Sequence, residues 1–359
     1  MALAIFIPEE IVMNFKNRRR WKIIRDYCIG WTLAFIFLCI VRGEGTEELG
    51  SVKIKFWNSI AFSFIIGPVF GSISGYAQVL TEEYGYKRMS LRKLLLLRVV
   101  FIVLFLAALF TFSYFIAGQH VSFEQFVFEP GGFAMLVFIA SVDFFMLCLR
   151  QVNLFLGKDN LKKLIRGDFY IPREEERIFM FLDLKDSTKH AENLGHITYS
   201  KMIQDCFNDL GVVIENEAEI YQYVGDEAIL TWQLRDGLRN QNYLEAYYNF
   251  KKQLLKRSDH YRNTYNLVPE FKAGLNSGIV TVTEIGKYKK EIAYHGDTIN
   301  VAARIQAKCN ELGQELLVSE DLVEQVNGNG VDFQKIDSVE LKGKEEKILV
   351  YTAKPRNDL

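Results

Sequence analysis

The chain has 359 residues, 49% of them hydrophobic, and its 43 Lys and Arg nearly balance its 44 Asp and Glu. This balance excludes a case for nucleic-acid binding from bulk charge. The five cysteines lack CxxC spacing and the five histidines lack zinc-ligand spacing, so we expect neither a disulfide framework nor a zinc site. Apolar runs concentrate in residues 1–157, which predicts a membrane part followed by a soluble part.

Four apolar stretches in residues 1–157 are long enough to cross a bilayer, which takes about 20 helical residues. They lie near 27–41, 56–80, 94–118 and 133–156. The first is short, and we expect it to include Ile23 and Ile24. A signal peptide is the alternative for it, but no small-residue cleavage site follows Val41. The sequence therefore predicts an all-α transmembrane domain of four helices in contact with lipid.

Basic residues are spread unevenly over the connections between these stretches. Residues 16–25 contain six Lys and Arg and residues 87–93 contain four, whereas residues 119–132 contain none. Short segments rich in Lys and Arg stay on the cytoplasmic side of a membrane. We therefore predict a multi-pass protein of the bacterial inner or cell membrane, with its N-terminus and its C-terminal half in the cytoplasm.

Two further features lie within the apolar half. Gly67, Gly71 and Gly75 form a stripe at four-residue spacing, which serves equally for packing within the chain or for contact between subunits. Arg98 and Asp143 are charges within apolar segments, where a charge is costly and needs a partner. We expect these two to pair.

The soluble half follows a basic and then acidic segment, residues 158–176, which we expect to be a connecting helix and linker. From Arg177 onward, short apolar runs alternate with amphipathic patterns. Their order, β-α-α-β-β-α-β with extra strands, predicts a ferredoxin-like α+β fold over residues 177–353, with 354–359 as a tail.

Two carboxylates follow strand-like runs of this half. Asp183 ends the run "RIFMFLDL", and Asp226 lies in the turn of "EIYQYVGDEAILTW". The ferredoxin-like order places the first strand beside this hairpin, so the two acids are expected to face each other at one sheet edge. Mg²⁺ uses few protein carboxylates and completes its shell with water and phosphate oxygens. Nearby Glu227 is expected to be a structural turn residue, and Asp186 a helix cap or first-turn acid rather than a metal ligand.

Candidate phosphate-binding residues occur further along the chain. In "HGDTINVAARIQ", Asn300 and Arg304 are four residues apart and share one helical face. Near the C-terminus, "LKGKEEK" places Lys342 and Lys344 in a turn between strands, where a solvated hairpin tip is the alternative. Two acids for metal with an Arg and a Lys make a candidate polyphosphate site.

The combination of these motifs resembles the class III nucleotidyl cyclases, the adenylyl and guanylyl cyclase catalytic domain. The resemblance covers about residues 176–353 and rests on "FLDLKDST", "YQYVGDEAI", "GLNSGIVTVTEIG" and "GDTINVAAR". It implies that Asp183 and Asp226 hold two Mg²⁺ or Mn²⁺ ions, with help from the Leu184 carbonyl. The substrate implied is a nucleoside triphosphate.

The resemblance also implies roles for the remaining residues of the site. Asn300 would orient the ribose, Arg304 would stabilise the charge that develops at the α-phosphate, and Lys342 would contact the terminal phosphates. Family members act as dimers, with the metal acids from one subunit and the other groups from its partner. The resemblance thus implies a homodimer with two equivalent sites.

Two positions depart from the family pattern. Gln222 and Ala293 stand where the family has the residues that read the base. A Gln amide can accept from adenine or donate to guanine, and Ala can do neither. We expect ATP as the substrate and cyclic AMP as the product, with a guanylyl or pyrimidine cyclase, or a catalytically silent nucleotide-binding module, as alternatives. A diguanylate cyclase is disfavoured, because Val224 and Ala228 spoil the match of the hairpin to that family.

Overall fold

The computed structural model describes residues 15–43, 56–85, 91–117, 122–128, 130–157, 160–326, 331–339 and 347–355. The chain divides into two compact units, Met1–Leu154 and Phe155–Leu359. The first unit is helical, and the second contains an eight-stranded sheet with helices.

The described part of the first unit contains helices α1 to α5. They are α1 (Phe15–Gly43), α2 (Phe56–Leu80), α3 (Leu91–Ala117), α4 (Phe123–Phe128) and α5 (Pro130–Leu156), and a π-helical turn (Thr81–Gly85) follows α2. Four of these helices contain stretches long and apolar enough to cross a membrane: Asn17–Val41, Phe56–Glu83, Arg92–Phe112 and Gly131–Phe155. The four predicted spans are thus confirmed as helices. The first begins well before residue 27, because Arg and Lys are good helix formers and continue it toward the N-terminus.

The glycine stripe of α2 packs against α1 of the same chain. A Cβ atom added to Gly67 would lie 2.4 Å from Thr32 Oγ1, and one added to Gly71 would lie 2.3 Å from the Cα of Cys28. No side chain fits at such a close approach of two helix backbones. Of the two uses that the sequence left open, the stripe therefore serves packing within the chain.

The expected pairing of Arg98 with Asp143 is present. Arg98 Nε donates to Asp143 Oδ2 at 2.7 Å, and Arg98 Nη2 donates to Oδ1 at 2.6 Å. Both residues are buried, at 5% and 3% exposure. This fork-shaped pair connects α3 to α5 inside the apolar unit.

The second unit contains helices α6 to α12 and strands β1 to β8. Its helices are α6 (Asn160–Ile165), α7 (Ser187–Leu210), α8 (Leu234–Leu238), α9 (Asn242–Lys256), α10 (Ser258–Tyr265), α11 (Asp297–Ala307) and α12 (Glu320–Glu324). Its strands are β1 (Arg173–Leu184), β2 (Glu219–Val224), β3 (Glu227–Gln233), β4 (Phe271–Ile285), β5 (Glu291–His295), β6 (Leu316–Ser319), β7 (Val331–Val339) and β8 (Ile348–Pro355).

The strands form one mixed sheet in the order β2-β3-β1-β4-β6-β8-β7, and β5 pairs with the far part of β4. The predicted α+β fold is therefore confirmed. Strand β1 begins at Arg173, four residues before the predicted start, because its charged first residues pair with β4 from Val282 to Ile279. Helices α9 and α10 are separated at Arg257, whose φ of −100° departs from helical geometry.

Each face of the central strand β1 packs against a different layer. Ile178, Met180 and Leu182 belong to the large core that includes α7, α9 and α10. Phe179 and Phe181 point to the opposite face and pack near Ala302 of α11. Asp183 alternates with Phe181, so it lies on the α11 face of the sheet at the end of the strand.

Candidate active site

The register of the sheet places Asp183 at a meeting point of three strands. It lies opposite Glu227 at the start of β3 and opposite Lys272 at the start of β4. Asp226 directly precedes Glu227 in the β2–β3 turn. The two acids predicted to meet are therefore at the same edge of the sheet.

The turn geometry accounts for the sequence "GDE" between β2 and β3. Gly225 has a φ of +63°, a conformation that glycine adopts with little strain. Asp226 Oδ2 is buried and has no hydrogen-bond partner among the described residues. A buried carboxylate oxygen without a partner is costly, and a bound cation is one way to satisfy it.

Asp183 is already engaged by two donors. Lys272 Nζ lies 3.2 Å from Asp183 Oδ2, and Gln306 Nε2 donates to the same oxygen at 3.2 Å. Lys272 and Gln306 are both nearly buried. The sequence analysis missed these two residues; the pairing of β1 with β4 is the signal that would have revealed Lys272.

Negative charge is concentrated at this edge. The pKa of Glu227 is raised by burial and by the neighbouring charges of Asp183 and Asp226. The pKa of Tyr199 on α7 is raised to about 12, chiefly by burial and then by the charge of Asp226, to which its hydroxyl is hydrogen-bonded. Glu227 therefore interacts electrostatically with both acids, beyond the structural turn role expected for it.

A divalent cation fits this donor set. Among the described residues, no group of three or more His, Cys, Asp or Glu has an arrangement suited to a metal. Two carboxylates and a backbone carbonyl, such as that of Leu184, are nevertheless enough for Mg²⁺ or Mn²⁺ that shares phosphate oxygens. Asp186 occupies the N-cap position of α7, as expected, in a left-handed conformation, but its side chain accepts no capping hydrogen bond.

Helix α11 carries Asn300 and Arg304 one helical turn apart. Asn300 is exposed and Arg304 half-buried, whereas Val301, Ala302 and Ile305 are buried. Within the described part of the chain, neither Asn300 nor Arg304 forms a hydrogen bond or ion pair with Asp183 or Asp226. Lys342 lies outside the described residues.

The two positions expected to read the base lie on strands that are not adjacent in the sheet. Gln222 is exposed on the edge strand β2, directly after an irregularity in its pairing with β3. Ala293 is buried on β5, opposite Thr283. Their neighbours Tyr221 and Tyr294 nevertheless touch edge to face, with ring centroids 5.0 Å apart. This aromatic pair connects the two positions.

Comparisons with known proteins agree with this geometry. The family model described as "Adenylate and Guanylate cyclase catalytic domain" matches residues 169–354, just over half of the chain. Adenylate cyclase 2 of Rhizobium meliloti (strain 1021) is 30% identical over 208 residues, which are 57% of this chain and 56% of that protein. Adenylate cyclase 1 of the same organism is 23% identical over 207 residues, 55% of this chain and 31% of that protein.

A solved structure shows the same fold. The structure of a bacterial light-regulated adenylyl cyclase superposes with a TM-score of 0.51 at 17% identity, covering 60% of this chain and 62% of that one. The chain belongs to the adenylate and guanylate cyclase catalytic domain family. Four helices that could span a membrane precede its cyclase domain. The chain spans about half the length, or less, of the curated relatives it matches.

Proposed function

We propose that this protein is a membrane-bound nucleotide cyclase that converts ATP to 3′,5′-cyclic AMP and pyrophosphate at a homodimer interface. The observation that carries the proposal is the buried Asp226 Oδ2, unpartnered among the described residues and next to the Asp183–Glu227 pair. A purely structural turn gives no reason to bury a carboxylate oxygen without a partner, whereas a metal-dependent phosphoryl transfer requires a carboxylate that can bind the metal.

The placement of these residues supports the roles proposed for them. Asp183, Asp226 and the Leu184 carbonyl would hold two Mg²⁺ or Mn²⁺ ions. When bound, these ions neutralise phosphate charge and lower the pKa of the ribose 3′-hydroxyl. Lys272 and Gln306 keep the Asp183 carboxylate in place at the end of β1.

The reaction transfers the α-phosphoryl group within one nucleotide. The 3′-oxygen forms a bond to the α-phosphorus, the bond to pyrophosphate breaks, and the 3′-hydroxyl proton is lost to solvent. Asn300 orients the ribose, Arg304 stabilises the charge that develops at the α-phosphate, and Lys342 contacts the terminal phosphates. Catalysis of this kind depends on positioning and on charge stabilisation.

A second copy of the chain supplies the other half of each site. This part of the proposal is supported by the exposure of Asn300 and the partial exposure of Arg304, which form no hydrogen bond or ion pair with the acids of their own chain among the described residues. A twofold axis would bring each α11 face to the partner's acids and give two equivalent sites. The four N-terminal helices anchor the protein in a bacterial inner or cell membrane, and the cyclase domain faces the cytoplasm.

The choice of base rests on Gln222. ATP is supported by the names of the two Rhizobium relatives, both adenylate cyclases. The Gln222 amide can accept a hydrogen bond from the adenine amino group, while Ala293 offers only its backbone. In the alternative of a guanylyl cyclase, the same amide would donate to the guanine carbonyl.

The test is to incubate the purified full chain with Mg²⁺ or Mn²⁺ and to offer ATP, GTP, CTP and UTP in separate reactions, with products identified by mass. We expect cyclic AMP and pyrophosphate in equal amounts. A cyclic product from another nucleotide would reassign the base, and no product from any of the four would identify a silent nucleotide-binding module.

A further inference from the structure

Polar side chains form a line along one face of α2 and the turn that follows it. Ser74, Gln78 and Glu82 are spaced four residues apart, so they lie above one another on a helical face. All three fall within the candidate span Phe56–Glu83. At 1.5 Å per residue the line is about 12 Å long.

The deep end of this line is a closed ionic cluster. Ser74 Oγ donates to Asp143 Oδ1, and Arg98 Nη2 donates to Ser74 Oγ at 2.7 Å. Together with the forked Arg98–Asp143 pair, these bonds join α2, α3 and α5. The charges at this end are balanced.

The other end of the line is also ionic, and one of its arginines is exposed. Arg150 of α5 binds both oxygens of Glu82, at 2.6 and 2.8 Å, and Arg19 of α1 binds Glu82 Oε2 at 2.9 Å. The Glu82 side chain is only 4% exposed, whereas that of Arg19 is 40% exposed. This end therefore marks where the polar line reaches the surface of the unit.

Two polar groups between the ends lack partners. Gln78 Nε2 donates to Glu82 Oε1 at 3.1 Å, but Gln78 Oε1 has no partner among the described residues, and neither has Tyr27 Oη. Gln78 is 0% exposed and Tyr27 is 2% exposed. The Tyr27 ring lies against the Gly75 position and 5.9 Å from the Arg98 guanidinium. Helical side chains point toward their own N-terminus, so the Tyr27 hydroxyl extends toward the level of Gln78.

An aromatic cluster lies beyond the Arg98–Asp143 pair. The rings of Trp31, Phe35 and Phe70 touch one another, with centroids 5.2 to 5.8 Å apart, and Phe138 and Phe105 extend this cluster.

The indole N–H of Trp31, one helical turn from Tyr27, is also without a partner in the described part of the chain. It marks the boundary between the polar line and the aromatic cluster. The α1–α2 backbones close the same region at Gly67 and Gly71.

We propose that the first, helical unit contains a water-filled half-channel that runs from Glu82 to the Arg98–Asp143 pair and ends at the aromatic cluster. Water is the ligand that fits, because Gln78 Oε1 only accepts hydrogen bonds, the Trp31 N–H only donates, and Tyr27 Oη does both. Buried water is held where two to four otherwise unsatisfied polar groups surround it. The half-channel gives Asp143 contact with the aqueous phase from the Glu82 end alone.

The test is radiolytic hydroxyl-radical labelling of the full chain in lipid nanodiscs in ¹⁸O-water, followed by mass spectrometry. Radicals formed from bound water modify side chains beside it. The matched control is Tyr247, which is also 2% exposed but bonds its hydroxyl to the Phe271 carbonyl within a dry core. Tyr288, at 97% exposure, sets the upper limit of labelling.

We expect Tyr27 to take up ¹⁸O at least about five-fold faster than Tyr247 and more slowly than Tyr288. Labelling of Tyr27 as slow as that of Tyr247 would overturn the half-channel. In Q78L, which removes the acceptor, Tyr27 labelling should fall to the Tyr247 level, whereas V79L, an apolar change at the adjacent buried residue, should leave it unchanged. Equal Tyr27 labelling in Q78L and V79L would also count against the proposal. If Q78L does not fold, the comparison of Tyr27 with Tyr247 in the wild-type protein decides whether the half-channel exists.

Discussion

At the scale of single residues, the Gly-Asp-Glu turn between β2 and β3 combines a structural and a chemical requirement. Gly225 supplies the positive φ that the turn needs. Asp226 adds a carboxylate beside Asp183 and Glu227, which raises the local negative charge. The backbone of the turn is therefore unstrained, whereas the repulsion among its carboxylates is unfavourable. This combination is expected where a cation binds.

Replacing Asp226 should separate these two requirements. We expect Asp226→Asn to lower cyclic nucleotide formation by about two orders of magnitude or more, because a metal ligand is lost. Without added metal, its thermal midpoint should equal or exceed that of the wild type, because a repelling charge has been removed. The matched control, Glu227→Gln, should keep much more activity. Wild-type turnover in Asp226→Asn would disprove the metal role of this residue.

Two buried thiols provide a pH-dependent prediction. Burial raises the pKa of Cys206 and of Cys309 to about 12, so both stay protonated in the folded protein at pH 8. We expect iodoacetamide to leave both unmodified in native protein at pH 8 and to modify both in urea, as peptide mass mapping would show. Above pH 9, the ordinary thiol value, the unfolded chain loses these protons first, so stability should fall as the pH rises further. Rapid native labelling at pH 8 would contradict this burial.

At the scale of elements, the position of α11 depends on its close contact with β4. A Cβ atom added to Gly274 would lie 2.2 Å from the backbone nitrogen of Gln306. The same helix carries Asn300 and Arg304 on its outer side and donates to Asp183 through Gln306. The contact at Gly274 therefore controls the positions of several groups of the site at once.

The variant Gly274→Ala tests this dependence. Because the obstacle is backbone, the helix must shift, and we expect a loss of about 1–3 kcal/mol in stability together with at least a ten-fold fall in kcat. Gly211→Ala is the control, since nothing lies within 4 Å of its added Cβ and its φ is helical. Thermal unfolding and steady-state assays of both variants give the answer. Equal behaviour of the two variants would refute a tight α11–β4 contact.

Sequence patterns predicted the elements and their neighbours better than their atomic contacts. The order of strands and helices was enough to place Asp183 beside the hairpin of Asp226. The contact of Lys272 with Asp183 depends on the register between β1 and β4, and a shift of one residue would send the lysine to the other face. The glycine stripe of α2 has the same spacing whether it faces α1 or another subunit, so only the structure decides between these uses.

At the scale of the whole molecule, the proposed site requires two chains. Each chain carries the acids on one sheet edge and the Asn300–Arg304 pair on α11, and in the described part of the chain no hydrogen bond or ion pair joins the two groups. A homodimer resolves this separation by giving each site one group from each subunit. Regulation from the membrane unit would then act on both sites together, because both lie at one interface.

Complementation between two inactive variants tests this account most directly. Asp226→Asn and Arg304→Ala each damage both sites of their own homodimer, but a mixed dimer keeps one intact site. Random pairing makes half of the dimers mixed, so co-expressed variants should recover about a quarter of wild-type cyclic AMP formation per protein. We expect each variant alone to be nearly inactive and the co-expressed pair to be active. A pair that stays as inactive as either variant alone, although mixed dimers are recovered by two-tag purification, would contradict a site shared between subunits.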